Sequence, residues 1–219
     1  FDIDPTAIDA GRFGRLVLVD AHIPWFRDQA YYNSAPWRGT WALDGGGVLM
    51  NQGLHTLDLM LHLAGPPLAV QAYADRLTHD RIEVEDTAVA TVRFACGALG
   101  TIAATTCCAP GFPARLSIHG ERGSVVLEGD RLLRWTFAEE RPEDAVIRQE
   151  GGQSEGLAGG ADNAGGIGPE GHRRQFADRT EAVRSGREPL IPGTEARRAV
   201  ARITGIYDSA RSGKATMFA

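Results

Sequence analysis

Asn51 and His55 lie four residues apart in the run Asn51-Gln52-Gly53-Leu54-His55-Thr56-Leu57-Asp58. On one face of a helix such residues sit ~5–6 Å apart, with Asp58 one turn beyond His55. An imidazole is the side chain best suited to moving protons near neutral pH, and a carboxamide can hydrogen-bond a hydroxyl. Gly53 between them carries a helix-interior cost of ~1 kcal/mol relative to alanine. That cost makes sense where something must approach the backbone closely. The preceding Asp44-Gly45-Gly46-Gly47 would present N–H groups and a positive helix end to an anion or a polarised ring. Spacing alone leaves two other readings open. The stripe Asn51, His55, Asp58, His62 is also what a solvated helix face looks like, with Gly53 serving helix packing. A metal held by His55, Asp58 and His62 has no further strong ligand placed nearby, so no metal is expected.

A second constellation is a decoy. Gly166-Ile167-Gly168-Pro169-Glu170-Gly171 fits the dinucleotide pattern GxGxxG and precedes a helical run. It follows Gly160-Ala161-Asp162-Asn163-Ala164-Gly165, which cannot be the buried strand that pattern requires.

The elements that must position Asn51 and His55 are legible from periodicity. Met50, Leu54, Leu57 and Leu61 recur at helical spacing, and Gly65-Pro66-Pro67 stops the run, predicting a helix over 45–64. A β-branched run over 15–23 predicts a strand. From residue 68 to about 137 the period changes to two. Strands are predicted at 70–74, 87–95, 99–106, 115–119, 123–127 and 131–137, meandering between glycine turns rather than in βαβ units. Two helices are expected to close the chain. One, over 171–184, has a face of Phe176, Thr180 and Val183; the other, over 194–211, has Thr194 as N-cap and Gly213 as its stop. The glycine-interrupted stretch 139–170 predicts a mobile loop. Between residues 25 and 41 Trp25, Tyr31, Tyr32, Trp37 and Trp41 cluster without periodicity, unusual for rings that merely pack, because a loop offers little core.

Composition narrows the function classes. The chain has 219 residues, 43% hydrophobic and 23% charged, with a net charge of −5, which suits a globular protein. No basic block exists to neutralise phosphates, so no nucleic-acid or membrane partner is expected. Lys214 is the only lysine among 23 cationic residues, so chemistry needing a lysine base must find it elsewhere. Cys96, Cys107 and Cys108 form neither a disulfide framework nor a zinc spacing, and a reducing, cytoplasmic setting is expected. A start at Phe1 reads as a piece of something longer.

The stretch Trp37-Arg38-Gly39-Thr40-Trp41-Ala42-Leu43-Asp44-Gly45-Gly46-Gly47-Val48-Leu49-Met50-Asn51-Gln52-Gly53-Leu54-His55, closing on Asp58, resembles the glycine–histidine signature of the second domain of the Gfo/Idh/MocA oxidoreductases, the glucose–fructose oxidoreductase and inositol dehydrogenase family. Asp86-Thr87-Ala88-Val89-Ala90, Gly120-Glu121-Arg122-Gly123-Ser124 and Gly186-Arg187-Glu188-Pro189-Leu190 fit the same pattern in order. The resemblance implies an α+β fold: a large open, mostly antiparallel β-sheet with helices packed on one face, the Rossmann domain being absent. It makes residues 1–219 one substrate-binding and oligomerisation domain, with 1–13 the tail of a linker. It implies NAD or NADP, bound mainly by the other domain, and a sugar, cyclitol or nucleotide-sugar substrate. A homodimer or homotetramer through the sheet is expected, and no dehydrogenase activity for the chain alone. His55 and Asn51 then become catalytic, Tyr32, Trp37, Arg38, Trp41 and Asp58 substrate-binding, and Gly46 and Gly47 cofactor-binding. Asn51 stands where many members carry aspartate; an amide orients a hydroxyl but cannot take its proton. That departure keeps open a different class, a non-catalytic scaffold or binding protein derived from the family.

Overall fold

The computed structural model describes residues 6–152, 161 and 170–218. A short helix α1 (Thr6–Asp9) leads into strand β1 (Leu16–Pro24), followed by α2 (Gln29–Asn33) and α3 (Leu54–Ala64). Six strands come next: β2 (Pro67–Asp75), β3 (Thr87–Phe94), β4 (Leu99–Thr105), β5 (Arg115–Gly120), β6 (Gly123–Glu128) and β7 (Arg131–Phe137). Helices α4 (Pro142–Gly152), α5 (Glu170–Ser185) and α6 (Gly193–Ser212) and a short β8 (Thr216–Met217) complete the described chain. The strands form one open sheet in the order β7-β6-β5-β1-β4-β3-β2-β8.

Alternation decides which side of each strand is buried. In β3, Ala88, Ala90, Val92 and Phe94 face inward while Val89, Thr91 and Arg93 face out. The inward side is covered by α3, through Leu57, Met60 and Leu63, and by α6, through Ala199, Ile203 and Ile206. Burying each large side chain contributes ~1.5–3 kcal/mol, which outweighs the missing side-chain cap at the start of α3. The opposite side of the sheet is uncovered: Leu18 pairs with Leu99 and Tyr73 with Val89, and all four are exposed.

Strand positions follow the sequence expectation, but the meander does not run unbroken. β2-β3-β4 and β5-β6-β7 are two antiparallel meanders, and β1 is inserted between them, parallel to β4 and antiparallel to β5. A strand's pattern says which side is buried and nothing about its neighbours. The segment between β1 and β2, which contains α3, is the crossover that this insertion requires.

Four local expectations are corrected. The helix expected from residue 45 starts at Leu54. Within the expected loop 139–170, Pro142–Gly152 is helical, opened by proline and two acidic residues in its first turn. Asp144 of that helix is buried and takes both ends of the Arg12 guanidinium at 2.6 and 2.7 Å, plus the Trp135 indole N–H at 2.6 Å. With Phe13 buried as well, the described part of 1–13 is stitched onto the sheet. The expected face of α5 is exposed, Phe176 at 70% and Val183 at 85%; a helical period identifies a stripe but not whether anything covers it. Finally, Pro192 rather than Thr194 occupies the N-cap of α6, while Gly213 ends it in the left-handed conformation at φ 67°. Residues 153–160 and 162–169, including most of the GxGxxG match, lie outside the described residues. Among the described residues no helix is long and apolar enough to cross a membrane.

Candidate functional site

The glycine run owes its shape to a carboxylate far away in sequence. Glu85 is buried, and its Oε2 accepts the Gly47 N–H at 3.0 Å while Oε1 accepts the Leu49 N–H at 3.0 Å and the Tyr207 hydroxyl at 2.8 Å. In a helix starting at residue 45 the Gly47 N–H would be free and the Leu49 N–H would bond the Gly45 carbonyl; the carboxylate instead captures both in a turn. A Cβ on Gly47 would lie 1.7 Å from the Glu85 carbonyl oxygen, and one on Gly46 2.3 Å from the Tyr207 hydroxyl. The expectation of a free Gly47 N–H for a cofactor is therefore corrected: it is engaged by Glu85. Burial raises the Glu85 carboxyl, partly offset by the hydrogen bonds from Leu49, Tyr207 and Gly47, and the Tyr207 hydroxyl is raised by burial and by Glu85.

Gly53 has an equally local reason. Its Cβ position is 3.1 Å from the carbonyl oxygens of Val48 and Leu49, so the close approach is made by the chain's own backbone. Asn51 thus sits in the turn before α3 and His55 in its first turn. Both side chains are exposed, as are Asp58 and His62. None of the four lines the described cavities. Among the described residues the His55 imidazole makes no hydrogen bond.

Asn51 is held in place. Its Nδ2 donates to Asp44 Oδ1 at 3.1 Å, and its Oδ1 accepts from Gln52 Nε2 at 3.1 Å. The same Gln52 nitrogen reaches the Tyr31 hydroxyl at 3.5 Å. The Arg38 guanidinium lies 4.2 Å from the Tyr31 ring centre and 4.5 Å from that of Trp37, with Nε donating to Ser34 Oγ at 3.1 Å. The structure so joins Asn51, Gln52, Tyr31, Arg38 and Trp37 in one partly exposed patch. Stacking fixes the plane of a cation whose donor fork matches a carboxylate or phosphate.

Two aromatic residues fall elsewhere. Tyr32 is buried against Ile82 and Val84, its hydroxyl 3.0 Å from Thr106 Oγ1, with burial pushing it up to about 12 against that hydrogen bond. Its assignment to substrate is corrected; Tyr31, its neighbour, has the exposed edge. Trp41 donates its indole N–H to the Glu83 carbonyl at 3.0 Å and lies edge-on to Tyr207. It borders a cavity of about 410 Å³ with Arg76, Glu83 and Arg211, which includes neither His55 nor Asn51.

Sequence reasoning missed Glu85, Tyr207, Asp44 and Gln52, because their partners lie on other elements or on side chains whose direction no pattern reveals. It also missed His79, Asp86 and Cys107, whose ligand-type atoms lie within 4.8 Å of one another. Asp86 there accepts from the N–H groups of Leu77, Thr78 and His79, from the Thr87 hydroxyl, and pairs with His79 Nδ1 at 3.1 Å. Burial opposes its charge, but these hydrogen bonds outweigh burial and hold its carboxyl down at about 2. With its acceptor capacity so filled, the cluster is a hydrogen-bonded node fastening the 76–79 loop to β3.

An open mixed sheet covered by helices on one side differs from the doubly wound parallel sheet of a dinucleotide-binding domain. The family model described as the GFO/IDH/MocA C-terminal domain matches residues 6–126. The chain belongs to the GFO/IDH/MocA family. It is similar to the WlbA dehydrogenase from Bordetella pertussis, solved in complex with NADH and UDP-GlcNAcA, at 36% identity and a TM-score of 0.84 over 98% of this chain and 60% of that one. WlbA from Chromobacterium violaceum, in complex with the same two molecules, is 32% identical with a TM-score of 0.82 over 98% of this chain and 58% of that one. Levoglucosan dehydrogenase in complex with NADH shares the fold, at 21% identity and a TM-score of 0.75 over 97% of this chain and 61% of that one. The chain therefore spans about 60% of the length of these relatives. No curated protein sequence matches it.

Proposed function

We infer that this chain is the substrate-facing domain of an NAD(P)-dependent dehydrogenase that oxidises a hydroxyl of a nucleotide-linked uronic sugar. The observation that carries the reading is the patch itself. A free imidazole and an oriented amide stand beside an arginine stacked between Tyr31 and Trp37, in a chain 36% identical to a dehydrogenase solved with NADH and UDP-GlcNAcA. The described residues do not themselves form a dinucleotide cradle, since the Gly47 donor is engaged by Glu85. A nicotinamide, held by another domain of the parent protein, supplies the hydride acceptor.

The work assigned to this chain is binding and proton handling. Arg38 meets the uronate carboxylate in a bidentate fork. Asn51 accepts a hydrogen bond from the substrate hydroxyl next to the reacting one, and His55 takes the proton of the reacting hydroxyl as its carbon–hydrogen bond breaks. Asp58, one turn along α3, stands within reach of the same substrate face. Trp37 offers its exposed side as a stacking surface. The uncovered side of the sheet, with Leu18, Leu99, Tyr73 and Val89 exposed, is the face assigned to a second copy of the chain.

The test uses the parent enzyme. His55→Ala should lower kcat about 10²–10⁴-fold with the melting temperature unchanged. Arg38→Ala should raise KM for UDP-GlcNAcA while leaving affinity for UDP-GlcNAc, which lacks the sugar carboxylate, unaltered. Turnover within twofold of wild type for His55→Ala would remove His55 from proton transfer, and a parent protein with no turnover at all would favour a scaffold.

A further inference from the structure

The structure assigns Asp44 and Gln52 a positioning role: together they lock the Asn51 amide into one orientation and polarise it towards the substrate hydroxyl. The inference rests on Asn51 facing substrate as proposed above, and it adds which residues make an amide effective there.

An isolated asparagine has two nearly isosteric orientations, amide nitrogen and oxygen exchanged. Here both ends are specified. The acceptor on Nδ2 is a carboxylate, which cannot donate and so admits only the N–H side, at 3.1 Å. The donor on Oδ1 is the Gln52 NH₂, at 3.1 Å, which admits only the oxygen side. Each partner is itself anchored. Asp44 Oδ2 accepts the Gly39 N–H at 2.9 Å, at a glycine whose φ is +72°. Gln52 is buried at 5% exposure, so its reach towards Asn51 is set by packing rather than by a freely moving side chain.

The orientation has an electronic consequence. An N–H donated to a charged acceptor forms a stronger hydrogen bond than one donated to a neutral group. Within a chain of hydrogen bonds each polarises the next, so donation from Nδ2 to Asp44 enriches Asn51 Oδ1. Gln52 occupies one lone pair of that oxygen, leaving the other to accept from a substrate hydroxyl. Negative charge is thereby placed one residue behind the substrate-facing group rather than on it. The pair also explains why an aspartate would be a poor occupant of position 51: its carboxylate would stand about 3 Å from that of Asp44, where two like charges repel.

The deciding experiment reads the amide directly. In ¹⁵N-labelled 219-residue chain, the Asn51 side-chain NH₂ pair is identified by its disappearance in Asn51→Ala. One proton should resonate downfield of the range for solvated amides. Asp44→Asn should move it back upfield, and Gln52→Leu should shift the amide nitrogen. If both variants are folded and leave the pair where it was, the positioning role is overturned. If Asp44→Asn fails to fold, Asp44→Ser serves in its place. In the parent enzyme, Asp44→Asn should lower kcat roughly tenfold, the loss of one charge-assisted hydrogen bond, with KM unchanged; an unchanged kcat alongside an inactive His55→Ala enzyme also overturns it. A fully active His55→Ala enzyme would instead remove His55 from proton transfer, and the resonance shifts would still decide the positioning role.

Discussion

The two sides of the glycine run behave oppositely. Behind it, Glu85 and Tyr207 are buried and every donor in reach is engaged. In front, Asn51 and His55 are exposed, and His55 is unbonded among the described residues. The back is built to allow no movement and the front to meet something else. Precision at an open surface is thus obtained from the buried side, because an exposed side chain cannot be fixed by packing of its own. The neighbouring acids sharpen the point. Glu85 accepts from two N–H groups and one hydroxyl and its carboxyl is raised, whereas Asp86 accepts from three N–H groups, a hydroxyl and an imidazole, and is held at about 2. Both side chains are shut off from solvent, but Glu85 lies deeper in the protein and has fewer donors, so the two shifts run in opposite directions.

The contrast can be broken most severely at Gly47. Gly47→Ala places a methyl 1.7 Å from backbone, where neither side can yield, and should cost more than about 4 kcal/mol, read by urea denaturation. If the loss is below about 1 kcal/mol, the back wall is not the rigid element described. A smaller effect is expected at Asp86. Its carboxyl is depressed in the folded state, so its contribution is complete above the unfolded value of about 4 and is lost as pH falls through about 2. Asp86→Asn should lower stability at pH 7 by about 2 kcal/mol and flatten the loss between pH 4 and 2 in thermal melts. An acid limb that persists unchanged would assign it to another group. The smallest effect belongs to the front. Asn51→Asp should destabilise by about 1 kcal/mol at pH 7, because it sets a second carboxylate beside that of Asp44. Combining it with Asp44→Asn should restore the loss. Equal melting temperatures for single and double variants would separate Asn51 from Asp44.

Much of this architecture was legible in the chain's pattern. Strands at 87–94, 99–105 and 131–137 stand out because one side of each is buried, and burial imposes a period of two. The end of α3 at Gly65 and of α6 at Gly213 follow from glycines that adopt positive φ. The pattern failed where a distant group intervened. The start of α3 moved because Glu85 takes the Gly47 and Leu49 N–H groups, the second of which a longer helix would have bonded to its own backbone. The helix at 142–152 was hidden by its polar composition, its docking resting on the buried Arg12–Asp144 pair across 132 residues. Asn51 and His55 were singled out by type and spacing and Trp37 and Arg38 by the family resemblance, while Tyr31 and Tyr32 exchanged places: adjacent aromatics on a five-residue helix point to different sides, and only packing says which is inward.

What the sequence by itself determined was periodic or conformational: strand faces, helix stripes, glycine turns and the family signature, since each depends on residues close together along the chain. Tertiary structure alone decided that β1 enters the sheet between two meanders, that a carboxylate 38 residues away engages Gly47, and that Asp44 and Gln52 clamp Asn51. A hydrogen bond has direction and a reach of about 3 Å, so its partner is chosen by where the folded chain brings the two groups, which no local pattern encodes.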